Sequence, residues 1–143
     1  MNQAELRQMA AKRIHDANAL LNGSRWEFAY YVSGYVVECA LKSCLLARIV
    51  HTAWVFEDKW KAQDCQTHDF GELVRLAGLT DELNARLSTS AAAGDTFVSN
   101  WGTVLQWKVT TRYASKSEAE ARDLFNAITH KPDGVLRWLR KYW

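Results

Sequence analysis

Three short stretches carry the side chains able to do chemistry. Glu38 and Lys42 interrupt an apolar run from Ser24 to Val50. They are four residues apart, so on a helix one stands above the other on a single face. His68 and Asp69 adjoin in Thr67-His68-Asp69-Phe70, and Arg112 and Tyr113 adjoin late in the chain. Lys42 offers a point charge to a phosphate, with Glu38 to orient it or to hold an arginine. The Arg112 guanidinium would take a phosphate bidentately or pair with Glu38. His68 and Asp69 read as an acid–base pair. Each reading has a plainer counterpart: an internal ion pair fixing helix register, a structural Arg–Glu contact, and a helix N-cap beside a histidine.

Other chemistries find less support. Cys39, Cys44, Cys65, His51 and His68 fit no zinc spacing, so no metal or cofactor is implied. There is no glycine-rich phosphate loop and no nucleophile signature. Near the C-terminus, Lys131, Arg137, Arg140 and Lys141 mix with Trp138, Tyr142 and Trp143. That run would meet RNA through phosphates and stacking; otherwise its cations suit a helix C-terminus while the rings pack inward.

The elements that must position these groups are helical. Ala4 to Leu21 carries a stripe of 3.6-residue period, with Gly23 as a left-handed cap. Ser24 and Glu27 match a capping box that starts a second helix, and the short connection predicts antiparallel packing. This second helix is apolar nearly all round, so other helices or a second subunit must cover it. Gly34 in its middle implies either close approach of another backbone or a tolerated small residue.

His51 to Gln66 is a connection with room for a short helical turn. Thr67 or Asp69 caps a helix from Phe70 to Ala77, ended by Gly78. Thr80 opens another, to about Ser88, and Thr89 to Gly94 reads as a loop or frayed end. Asp95 caps a helix whose apolar side is Phe97, Val98, Trp101, Val104 and Leu105. Val109-Thr110-Thr111 weakens helix there. Ser115 or Ser117 caps the last helix, Ser115 with Glu118 matching a capping box. Pro132 should kink that helix or split it into two nearly collinear ones, since the apolar stripe keeps phase from Ala121 to Tyr142.

Composition agrees with an all-α bundle of four to five helices in one domain, 1–143. The chain has 143 residues, seven tryptophans, one proline and seven glycines, which favours helices over many strands. A formal charge of +2 neither demands nor excludes nucleic acid. Three cysteines, two of them close together on one helix, suggest a reduced, cytoplasmic setting. Phe28 to Ala47 is long enough to raise the question of a membrane span, but Glu38 and Lys42 near its middle argue against lipid.

Taken together, Leu-Leu-Asn-Gly at 20–23, the aromatic stretch Trp26 to Tyr31, Gly34-Tyr35-x-x-Glu38-x-x-Leu41-Lys42, Thr67-His68-Asp69-Phe70 and Arg112-Tyr113 resemble the HEPN domain, a helical nucleotide-binding family. The resemblance covers nearly the whole chain. It implies a helical bundle that dimerises, and binding of nucleotide or RNA or partnership with a minimal nucleotidyltransferase in toxin–antitoxin or defence settings. Many members are metal-independent ribonucleases with an arginine followed after four to six residues by a histidine. Here His15, His51, His68 and His130 all miss that spacing; Arg122 and His130 have seven residues between them. After Arg112 the corresponding positions are Ser117, Glu118 and Ala119. The imidazole suited to proton transfer is therefore missing. The alternatives are a non-catalytic dimerisation or interaction module, and a divergent ribonuclease using Arg122 and His130.

Overall fold

The stripe of Leu6, Ala10, Ala17 and Leu21 winds α1, Gln3–Asn22, around a buried edge. Its N-terminus is closed by a reciprocal pair: Asn2 Oδ1 accepts from Glu5 N–H and Glu5 Oε2 accepts from Asn2 N–H. In the computed structural model, which describes residues 1–52 and 65–143, six further α-helices follow. They are α2 Trp26–Thr52, α3 Phe70–Leu76, α4 Thr80–Ala93, α5 Phe97–Leu105, α6 Glu118–Thr129 and α7 Val135–Leu139, with a 3-10 turn at Val109–Tyr113. No strand occurs among the described residues. Among the described residues the bundle is all-helical as the sequence predicts, and their seven α-helices exceed the expected four to five because several are short.

The long helix α2 is the axis of the bundle. It packs on α1, α3, α6, α7 and the 3-10 turn. Ala29, Val36, Val37, Ala40, Leu41, Cys44 and Leu45 are all buried, so helices of the same chain cover most of its apolar surface. No helix among the described residues is long and apolar enough to cross a membrane.

Several boundaries differ from the sequence reading. The left-handed residue between α1 and α2 is Ser24, at φ 57°, while Gly23 is at φ −90°. With Ser24 spent on the turn, the Ser24–Glu27 box does not form; α2 starts at Trp26, and Ala29 N–H donates to Arg25 O. The segment 89–93 is helix rather than loop, because three alanines sustain α4 until Gly94 closes it in the left-handed region at φ 69°. The Asp95 carboxylate accepts from Phe97 N–H at 3.0 Å, although the residue before α5 is Thr96. The box on α6 joins Ser117 to Glu120, not Ser115 to Glu118. Pro132 splits the last helix in two. Gly134 makes that elbow possible, since a Cβ there would lie 2.4 Å from His130 O. The helical turn expected within 51–66 falls largely outside the described residues.

Candidate functional site

Glu38 is buried, 4 % exposed, and both its carboxylate oxygens are engaged. Lys42 Nζ donates to Oε1 at 2.8 Å, and His68 Nδ1 lies 2.9 Å from Oε2. The i, i+4 spacing on α2 places Lys42, and the chain entering α3 places His68. Asp69 does not pair with His68 as the acid–base reading expected. It caps α3, accepting from Glu72 N–H at 2.9 Å, and lies 3.8 Å from Lys108 Nζ. The caps hold His68 where it meets Glu38. At the rim the Lys42 side chain is 23 % exposed and that of His68 44 %, so a carboxylate in the core holds two donors at the surface.

An aromatic wall continues from this cluster. Tyr35 meets His68 edge to face at 6.4 Å, and its hydroxyl hydrogen-bonds Tyr31 at 3.0 Å. Burial, then the bond to Tyr31, raises the Tyr35 pKa. Behind Tyr35, Trp107 packs edge to face at 5.5 Å and stacks on Phe70 at 5.1 Å. The 3-10 turn brings Arg112 to the other end. The Tyr31 hydroxyl is the strongest influence on its guanidinium and raises its pKa above the usual value. Arg112 also lies 4.8 Å over the ring of Tyr113, which stands 80 % exposed. The expected Arg112–Glu38 pair is not formed; the Glu38 oxygens meet Lys42 and His68 instead.

Tyr31, Tyr35, His68, Glu38 and Lys42 thus form one line, with Arg112 toward its Tyr31 end, Asp69 at its edge and Tyr113 turned to solvent. A cleft of ≈ 660 Å³ between α1 and α2 opens beside it, lined by Arg13, Asp16, Leu20, Phe28, Tyr31 and Tyr35 among others. Sequence reasoning missed the tyrosines. Their signal was present: Tyr31, Tyr35, Glu38 and Lys42 are spaced four, three and four residues apart, which makes one stripe on a helix. Trp107 and Phe70 carried no such signal, because their meeting depends on tertiary packing.

The remaining candidates lie elsewhere. Arg122 donates to Glu118 at 2.8 Å and covers the Trp26 ring at 5.3 Å, whereas His130 ends α6 and opens on a different cleft. Cys39 and Cys44 are buried, and burial pushes their thiols up to about 11 and about 12. No protein-family model, no curated protein and no solved structure matches the chain.

Proposed function

We propose that the protein is a HEPN-type helical domain that binds a nucleotide or RNA, as a homodimer or beside a nucleotidyltransferase partner, and lacks the family's ribonuclease chemistry. The observation that supports this reading is the buried Glu38 carboxylate, which holds Lys42 and His68 at the surface, with Tyr35 linking His68 to an aromatic cleft. A phosphate would take Lys42 and His68, a second phosphate the Arg112 fork at the other end of the line, and a base would lie against Tyr31, Tyr35 and Phe28. A volume of ≈ 660 Å³ is in the range of small-molecule sites. Glu38 orients the donors and touches no ligand.

The test is a panel of nucleotides and single-stranded RNA titrated against the wild type, Lys42→Ala and His68→Ala. Losing one charge-assisted contact should weaken binding by about tenfold or more. Equal binding by all three proteins, or no binding by the wild type, would remove this site. A second reading, the interaction module, draws on Phe28, which is 58 % exposed at the mouth of the same cleft. Under that reading Phe28→Glu changes the mass measured by light scattering, and the nucleotide panel stays blank.

A further inference from the structure

A second concave site lies at the elbow between α6 and α7, away from the Glu38 cluster. Its lining is Ile14 of α1, Ile128, Thr129, His130, Lys131, Leu136, Arg137 and Arg140, around a cleft of ≈ 360 Å³. No carboxylate belongs to that lining. Its three permanent cations, Lys131, Arg137 and Arg140, are exposed and make no ion pair among the described residues. The nearby acid in the chain, Asp133, is committed elsewhere, to Arg86 at 3.3 Å and to the Thr96 hydroxyl.

The two guanidinium groups are also held in place. Arg137 donates one N–H to Lys131 O at 2.6 Å, which ties the guanidinium across the elbow. Arg140 lies 5.5 Å over the Trp143 ring. His130 Nδ1 accepts from Asp133 N–H at 3.4 Å, so in the neutral ring Nε2 carries the proton and acts as a donor. Thr129 Oγ1 donates to Phe125 O at 2.8 Å, which spends its hydrogen within α6. The elbow exists because of Gly134, whose missing Cβ lets the backbone close on His130 O.

We infer that this elbow is a second anion site, for the phosphate ester of a nucleotide or of an RNA strand. Three cations without a carboxylate match more than one negative charge, which a phosphomonoester or successive phosphodiesters supply. Guanidinium forks suit phosphate oxygens, and Ile14, Ile128 and Leu136 give the attached sugar an apolar floor. The site shares no lining residue with the Glu38 cluster and stands or falls separately from it.

The experiment compares wild type, Arg137→Ala/Arg140→Ala, Lys131→Ala and Lys42→Ala. The probes are a fluorescent oligouridine read by anisotropy at several salt concentrations, and AMP read by calorimetry. If the source is RNA, the double variant binds oligouridine about tenfold more weakly or worse, and its salt slope is shallower by about 1.4, roughly 0.7 per cation. If the source is a free nucleotide, the double variant loses a saturable AMP site. Lys131→Ala, which removes an exposed side chain, shows a smaller loss in the same direction and guards against misfolding of the double variant. Unchanged binding of both probes in the double variant and in Lys131→Ala overturns the inference, as does the absence of binding to the wild type. Loss in Lys42→Ala alone supports the Glu38 site and overturns this one; loss in the elbow variants alone does the reverse.

Discussion

The Trp107 indole lies so close to Gly34 that a Cβ on the glycine would stand 2.1 Å from Cε2. The close approach at Gly34 is therefore by a side chain rather than by another backbone. Trp107, 2 % exposed, stacks on Phe70 and meets Tyr35, so this contact seats the segment after α5 on α2 and sets where the 3-10 turn delivers Arg112.

Gly34→Ala should destabilise the protein by about 1–3 kcal/mol through overpacking, against a helix-propensity gain of about 1 kcal/mol. Gly102→Ala in α5, where nothing lies within 4 Å of the added carbon, should instead stabilise by up to about 1 kcal/mol. Urea melts of the two variants check the opposite signs. A raised midpoint for Gly34→Ala would contradict the packing on Trp107.

The Glu38 cluster makes an asymmetric prediction. Lys42→Ala or His68→Ala leaves a buried carboxylate half-paired, at a cost of about 1–3 kcal/mol each. Glu38→Ala frees two partly exposed side chains that can turn to water. In a double-mutant cycle the loss from Lys42→Ala should therefore shrink in the Glu38→Ala background. Simple additivity in that cycle would show that the contact contributes no coupling.

Acid should weaken the corner between α4 and α5. The Ser90 hydroxyl, then Phe97 N–H and Arg86, holds the Asp95 carboxyl below its usual range. The unfolded chain takes up this proton near pH ~3.9, before the folded chain does. Its stabilising contribution is complete above that pH and is lost as pH falls through the depressed folded value. Ser90→Ala should flatten the fall of the melting temperature below about pH 4. Parallel curves for variant and wild type would exclude this origin.

Thiol titration tests the burial of α2. Cys39 and Cys44 are buried and pushed up to about 11 and about 12, so both are protonated and covered at pH ~8. An aromatic disulfide reagent should leave both unlabelled in the native protein and label them once denaturant is added. Peptide mapping that finds either labelled before unfolding would contradict the placement.

Local patterning is enough for the long helices and the apolar stripe they hide. Periodicity is local, so α1, α2 and the break at Pro132 were legible, as was the charged step from Glu38 to Lys42, which one helical turn sets. Cap positions were less legible, because neighbouring serines and acids offer rival registers and small differences in backbone geometry choose Ser117 with Glu120. The second partner of Glu38 was decided by tertiary structure alone. His68 lies thirty residues further along the chain, and only the docking of α3 on α2 brings it to the carboxylate. The same holds for Trp107 on Gly34 and for the cations gathered at the α6–α7 elbow. A buried charge takes whichever donor the packing delivers, and packing is a property of the whole bundle, not of any one stretch.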